Sequence, residues 1–167
     1  MRVGPVGLVK SSEEEVLKKA ALSASVTHDH PKGGKGEQAT ALAVFMARTG
    51  GSKDAIRSRI AAHFGYDLDR TVEVIRPDYK FNESGHGTVP EALVAFFDSS
   101  DYESAIRLSI SLGGDSDTLA CITGGIAEAF YKEIPRTMID DVMQRILSGL
   151  RSTVIDFQKP LPVSRPI

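Results

Sequence analysis

Two carboxylates and a hydroxyl lie within four consecutive residues of the run Gly113–Thr118. Asp115 and Asp117 are two residues apart, so in an extended backbone both side chains can face the same side. Oxygen ligands packed this closely suit a hard cation such as Mg²⁺, Mn²⁺ or Ca²⁺. The two glycines allow backbone conformations or a close ligand approach that a Cβ would block. The run is therefore a candidate metal site.

The run also lies at a predicted junction between a loop and a helix, because the apolar stretch Leu119–Ile122 follows it. Free backbone N–H groups at the start of a helix favour anions, so a metal ion and a phosphate-bearing substrate could meet here. An ordinary helix N-cap is the alternative, since Ser, Thr and Asp are common capping residues and Gly-Gly is common in loops. The residues alone leave both interpretations open.

The composition is that of a soluble globular protein of one domain. The chain has 167 residues, of which 41% are hydrophobic and 25% charged. A formal charge of −2 gives no sign of nucleic-acid binding. We find no apolar run near the ~20 residues that span a bilayer, and no secretory signal, so a cytoplasmic location is expected. Cys121 is the only cysteine and is interpreted as a small core residue.

The spacing of apolar residues predicts a mostly helical chain, and we find no convincing strand alternation. A helix is expected to begin at Glu13, after Ser11 and Ser12. A second begins near Glu37 and is apolar nearly all round, which predicts a central, buried position. A third follows Ser52. A short helix is then expected from Tyr66 toward Ile75, followed by a surface loop over 81–88 and a helix that begins at Val89. Three more helices are expected over 101–112, 117–131 and 139–154. The last predicted element is an extended tail over 160–166.

Two further segments carry chemically versatile side chains. Thr27–Pro31 holds two histidines and an aspartate, but His28 and His30 lack the helical i, i+4 step of a metal-ligand pair. A structural role is favoured for them, with contact between His28 and a substrate hydroxyl or phosphate as the alternative. His86 is an equally open case. The basic stretch Lys32–Gly36 is interpreted as a solvated loop that could touch phosphate.

The chain resembles the ADP-ribosylglycohydrolase family, which includes the dinitrogenase reductase-activating glycohydrolases. Four segments carry the resemblance to about Phe157: Met1–Gly7, Thr27–Pro31, Thr88–Leu93, and the Gly-Gly-Asp-x-Asp-Thr region from Leu112 with the helix and Ile134–Pro135 that follow it.

The resemblance implies an all-α helical bundle over residues 1–157, with a Pro-rich tail over 158–167. It implies two divalent ions, Mg²⁺ or Mn²⁺, in a cleft where ADP-ribose is hydrolysed from modified side chains or related compounds. Asp115, Asp117 and Thr118 would be metal ligands, with the two aspartates catalytic and positioning the ribose hydroxyls. His28 would lie near bound ADP-ribose, Gly114 would approach the substrate, and Arg2 would follow the loop that holds the diphosphate.

The family's amino-terminal half, which carries the other metal ligands, is not present in this sequence. The Asp140–Asp141 pair is no substitute, since it is interpreted as first-turn charge of the final helix. Half a binuclear site is therefore expected, and exposed helix faces predict a homo-oligomer or a partner chain. Three hypotheses follow: an enzyme completed by another chain, a non-catalytic ADP-ribose-binding protein, or a structural remnant.

Overall fold

The computed structural model of the protein describes residues 2–26, 31–80 and 85–159, and these residues form helices without strands. The predicted all-α class is thereby confirmed, and no helix in these ranges is long and apolar enough to cross a membrane. The chain divides into two compact units, residues 1–133 and 134–167. The first unit contains α1 (Gly4–Val9), α2 (Glu13–Ser25), α3 (Pro31–Arg48), α4 (Lys53–Phe64), α5 (Val72–Ile75), α6 (Gly85–Asp98), α7 (Tyr102–Ser111) and α8 (Ser116–Tyr131); the second contains α9 (Arg136–Arg145) and α10 (Ser148–Gln158).

Helix α3 is the centre of the first unit, as its apolar composition predicts. It packs against α1, α2, α4, α6 and α8. Four consecutive residues, Ala41–Val44, are at most 1% exposed, because neighbours cover the helix on several sides. The main core lies between α3, α4, α6 and α8, and a smaller one of Val3, Val16, Ala20 and Ala41 joins α1, α2 and α3.

Two helices begin earlier than the sequence predicts. Helix α3 begins at Pro31 rather than near Glu37, so Lys32–Gly36 is helical and the loop interpretation is wrong. Proline fits the first turn of a helix, where no partner exists for its missing N–H. Helix α6 begins at Gly85, so the part of the predicted loop over 85–88 is helical, whereas residues 81–84 lie outside the described residues. Pro90 lies inside α6 and not at its start.

Three other predictions are corrected. The short helix expected from Tyr66 begins only at Val72, where the Thr71 side chain caps it. The single helix expected over 139–154 is two helices, because residues 146 and 147 both have extended backbone angles. Cys121 is exposed, since it lies on the side of α8 opposite the buried Leu119 and Ile122.

Asp140 and Asp141 lie in the middle of α9 and not in the first turn of the final helix. Each forms an i, i+4 ion pair within the helix, Asp140 with Arg136 at 3.0 Å and Asp141 with Arg145 at 2.9 Å. Such pairs stabilise an exposed helix by a few tenths of a kcal/mol. The second unit, described to residue 159, has no buried residue in α9 or α10. The single-domain boundary at 157 stays a prediction.

Helix α1, which the sequence analysis did not predict, contacts α3 at a glycine. Gly7 is buried, and a Cβ placed on it would lie 2.4 Å from the carbonyl oxygen of Ala41 and 2.8 Å from the Cβ of Val44. The absence of a side chain at Gly7 therefore allows the backbones of α1 and α3 to approach closely. Arg48 adds to the same contact by donating to the Gly7 carbonyl at 3.3 Å and the Lys10 carbonyl at 2.7 Å.

Lys53, at the start of α4, stabilises the carboxyl end of α6. Its Nζ donates hydrogen bonds to the carbonyl of Phe97, at 3.1 Å, and to the carbonyl of Ser99. Phe97 lies in the last turn of α6 and Ser99 directly after it, where the carbonyl groups have no intrahelical donor. Three aromatic rings surround the ammonium group at 5.2 to 5.9 Å, those of Phe96, Phe130 and Tyr131.

Substitution Lys53→Met is expected to lower the free energy of unfolding by about 1–2 kcal/mol, because it removes two charge-assisted hydrogen bonds. The Phe97 carbonyl loses its side-chain donor, whereas the Ser99 carbonyl still accepts from the Tyr131 hydroxyl at 2.9 Å. Urea unfolding monitored by circular dichroism measures the change. Lys18→Met, on the exposed side of α2, is the matched control and should change stability by less than about 0.5 kcal/mol. Equal effects of the two substitutions would contradict the role assigned to Lys53.

Candidate functional site

The Gly113–Thr118 loop connects α7 to α8 through two consecutive left-handed residues. Gly113 has φ of 74° and Gly114 has φ of 60°. A residue with a side chain is destabilised by roughly 1–2 kcal/mol in the left-handed conformation, so two consecutive left-handed positions strongly favour glycine. These two residues turn the chain sharply after α7 and bring it into α8 at Asp115.

Asp115 is the N-cap residue of α8, but its side chain does not cap the helix. Its backbone carbonyl accepts from the N–H of Leu119 at 3.0 Å, whereas its carboxylate makes no capping hydrogen bond. Helices α2, α4, α5 and α7 differ, since side chains cap each of them: Ser12, Ser52, Thr71 and Asp101. The ordinary N-cap interpretation therefore holds for the backbone of Asp115 and fails for its carboxylate.

The carboxyl groups of Asp115 and Asp117 lie within hydrogen-bonding reach of each other. This hydrogen bond, with a second from the backbone N–H of Thr118 at 3.0 Å, holds the pKa of Asp117 below its usual range. Asp117 is exposed, and Asp115 and Thr118 are half-buried. A hydrogen bond between two carboxyl groups needs a proton on one of them. With both groups ionised they would repel each other, and a divalent cation between them would remove that repulsion.

The donor set of this loop suits part of a site for a hard cation. It offers two carboxylates and a hydroxyl within one turn of chain, all oxygen donors of the kind that Mg²⁺ prefers. Within the ranges 2–26, 31–80 and 85–159, no group of three or more His, Cys, Asp or Glu side chains converges as a metal site. Asp115, Asp117 and Thr118 could therefore hold one face of a cation whose remaining ligands come from water, substrate or other residues.

The helix that carries the loop is held rigidly by its neighbours. Helix α8 packs against α7, α6 and α3. The buried Thr123 hydroxyl donates to the Ala92 carbonyl at 2.9 Å and so joins α8 to α6. Asp101 and Ser104 form a capping box that fixes the start of α7, the helix before the loop. The carboxylates therefore project from a scaffold with little freedom to shift.

A cavity of about 440 Å³ lies beside α5 and the start of α6. Arg70 and Glu91 form an ion pair in it, with Arg70 Nη1 3.1 Å from Glu91 Oε1 and Arg70 Nη2 3.1 Å from Glu91 Oε2. The Glu91 side chain is only 13% exposed. Burial raises the pKa of Glu91, and Arg70 opposes that rise. The lining residues are Arg70, Val74, Ile75, Asp78, Tyr79, Lys80, Gly87 and Glu91.

Tyr79 relates this cavity to the aspartate loop. Burial raises the pKa of its hydroxyl, a hydrogen bond with the Thr88 side chain opposes the rise, and the charges of Glu91 and Asp115 add to it. The charge of Asp115 thus acts on a residue that lines the cavity.

The structure describes only some of the predicted site residues that lie outside the Asp115–Thr118 segment. Gly114 lies in the loop itself, beside Asp115. Arg2 is exposed in the turn before α1, a helix that packs on α3 and also contacts α8. His28 and His30 lie outside the described residues, as does the side chain of His86. The structure thus brings together the loop residues and leaves the role of His28 a prediction.

The pairing of Arg70 with Glu91 and the position of Tyr79 do not follow from the sequence. These side chains are separated by up to 21 residues along the chain, and no regular spacing links them. Thr88–Leu93 was noted for the resemblance it carries, but nothing in it indicated that Glu91 would be buried beside an arginine.

Comparison with known proteins matches this chain to one family of proteins. A family model described as ADP-ribosylglycohydrolase matches residues 1–159. The ADP-ribosylhydrolase ARH3 of Bos taurus is 30% identical over 82% of this chain and 50% of its own length. The ARH3 of Mus musculus is 29% identical over the same shares. An uncharacterised protein of Archaeoglobus fulgidus is 27% identical over 87% of this chain and 52% of its own. The chain spans about half the length of these curated relatives.

Proposed function

Because this chain belongs to the ADP-ribosylglycohydrolase family, we propose that it acts in the Mg²⁺-dependent hydrolysis of ADP-ribose from modified protein side chains or related ADP-ribose compounds. One observation carries the proposal within the fold: the Asp115 carboxylate occupies an N-cap position without capping and lies against Asp117. Because the Asp115 carboxylate makes no hydrogen bond that caps its helix, it is available to a cation and its substrate.

In this proposal Asp115, Asp117 and Thr118 hold the cation and orient the ribose hydroxyls of the substrate. A bound Mg²⁺ would supply Lewis-acid polarisation and a lowered pKa for a coordinated water. The chain itself fixes the carboxylates through the left-handed glycines and the packing of α8. Removal of ADP-ribose also requires stabilisation of positive charge at the anomeric carbon, which nearby carboxylates favour.

A second candidate is a protein that binds ADP-ribose without hydrolysing it until a partner chain or a second copy completes the site. The observation that favours it is the ligand count. Loop Gly113–Thr118 supplies three oxygen donors, whereas Mg²⁺ takes six and a binuclear centre about a dozen.

The deciding experiment follows the release of ADP-ribose from a mono-ADP-ribosylated protein, with Mg²⁺ and with EDTA. Binding of Mn²⁺, followed by electron paramagnetic resonance, and binding of ADP-ribose, followed by calorimetry, are measured on the same preparation. Mg²⁺-dependent release supports the hydrolase. Binding of Mn²⁺ and ADP-ribose without release supports the partner-dependent alternative. A folded protein that binds neither contradicts both candidates.

A further inference from the structure

Helices α9 and α10 are short, and little of their own surface is covered. They have 10 and 11 residues, and neither helix contains a buried residue. Isolated helices shorter than roughly 12–15 residues are marginal in water, because most helical stability in proteins comes from the packing of an apolar face. A surface that packs on these helices would supply the burial that they lack.

Helix α10 presents an apolar stripe that remains exposed. Four side chains at successive spacings of three, four and three residues form this α10 stripe: Leu147, Leu150, Val154 and Phe157. Their exposed fractions are 74%, 57%, 39% and 50%. Alternation of three and four residues is the spacing of the seam along which one helix packs on another. The α10 stripe is therefore suited to receive a second helix.

The charges beside the α10 stripe are few and already engaged. Asp156 pairs with Lys159 at 2.7 Å, and Arg151 donates to a backbone carbonyl of α9. At 100° of rotation per residue, the side of the stripe away from Arg151 is bordered by Gly149 and Thr153, which are uncharged. Two copies of α10 can therefore meet along this border without bringing like charges together.

A lipid surface fits the α10 stripe less well than a second copy does. Helices that lie on a lipid surface are rich in Lys and Arg on their polar side. The side of α10 opposite the stripe carries Ser148, Ser152 and Asp156, and Lys159 after the helix is paired with Asp156. A helix-packing seam with an uncharged border favours a partner with the same seam, and a second copy of this chain supplies one.

We propose that the α10 stripe is the contact by which two copies of this chain associate, with their α10 helices packed along each other about a twofold axis. Each copy gives the same surface to the other, as such a symmetric interface requires. Four partly exposed side chains present less than the ~800 Å² that each partner buries in a standard interface. The dimer is therefore weak and reversible, with a dissociation constant of about 10–100 µM. This assembly does not rest on the proposed function.

The test is sedimentation velocity of the whole chain at concentrations from about 5 to 500 µM, without metal or ADP-ribose. We expect the average mass to rise from monomer toward dimer over this range. Leu150→Glu and Val154→Glu should each weaken association about tenfold or more, because each would bury an unpaired charge in the contact. Hydrogen exchange of the amides over residues 148–158 should slow as the concentration of the parent rises, since the dimer stabilises α10.

Leu22→Glu is the matched control. Leu22 lies on α2 and is 53% exposed, close to the 57% of Leu150. This variant should associate as the parent does, and circular dichroism compares the helix content of all variants. The proposal is overturned if the parent stays monomeric at every concentration, or if Leu150→Glu and Leu22→Glu change association equally. A monomeric parent that binds vesicles of phosphatidylcholine and phosphatidylglycerol through α10 would also overturn it, and would assign the stripe to a lipid surface.

Discussion

Substitution Asp117→Asn is expected to reduce Mg²⁺-dependent release of ADP-ribose by about a hundredfold or more, and Asp115→Asn should do the same. Each change keeps the shape of the side chain but removes one of the two negative charges that face each other at the start of α8. Loss of a single group that stabilises the transition state typically costs 10²–10³ in rate. The measurement is the rate of ADP-ribose release at saturating Mg²⁺, with Mn²⁺ affinity determined in parallel.

The matched control for these variants is Asp140→Asn. Asp140 is an exposed aspartate whose ion pair lies within α9, so its loss changes net charge by the same amount without touching the loop. Both loop variants should retain the circular dichroism of the parent. The Asp115 side chain does not cap α8, and in Asp117→Asn the amide oxygen can still accept from the Thr118 N–H. Unchanged ADP-ribose release by Asp117→Asn would rule out the metal site proposed for this loop. If the parent protein does not release ADP-ribose, the test is whether the same two variants lose Mn²⁺ binding.

Substitution Gly7→Ala is expected to lower the free energy of unfolding by about 1–3 kcal/mol, because it forces two packed helices apart. The added Cβ would lie 2.4 Å from a backbone oxygen of Ala41, and a backbone atom cannot move aside as the end of a flexible side chain can. Helices α1 and α3 would have to separate, which would loosen the small core around Val3 and Val16. Urea unfolding with a constant m-value measures the change.

Gly4→Ala is the control for this prediction. Gly4 begins the same helix, and a Cβ placed on it would meet nothing within 4 Å. Helix propensity alone predicts that alanine stabilises both positions, by up to about 1 kcal/mol. Opposite signs at Gly4 and Gly7 would establish the close approach of α1 to α3, whereas stabilisation at both positions would contradict it.

The sequence predicted best those helices whose ends carry local chemical signals. Ser12 and Ser52 cap α2 and α4 as expected, and Gly65 ends α4 with φ of 73°. The continuous apolar pattern after Glu37 correctly indicated that α3 is central. In each case the information lies within a few residues along the chain, where propensity and capping act.

Elements that depend on tertiary packing were predicted poorly. Glycines over 33–36 and 85–87 are poor helix formers, so the pattern did not indicate that α3 and α6 extend through them. The exposed position of Cys121 depends on which side of α8 meets the rest of the core. The same holds for the site: the loop Gly113–Thr118 is local and was found, whereas the Arg70–Glu91 pair joins distant segments and was not.

Helix α8 begins without a side-chain cap, although four other helices of the same unit have one. A capping side chain stabilises a helix by about 1 kcal/mol. If the loop holds a cation as proposed, the protein forgoes this stability at the position that binds the ligand, which would make the loop a site of stability–activity trade-off. Aspartate is itself a good capping residue, so selection for thermal stability alone would favour a conformation in which the Asp115 carboxylate caps α8 and turns away from a ligand.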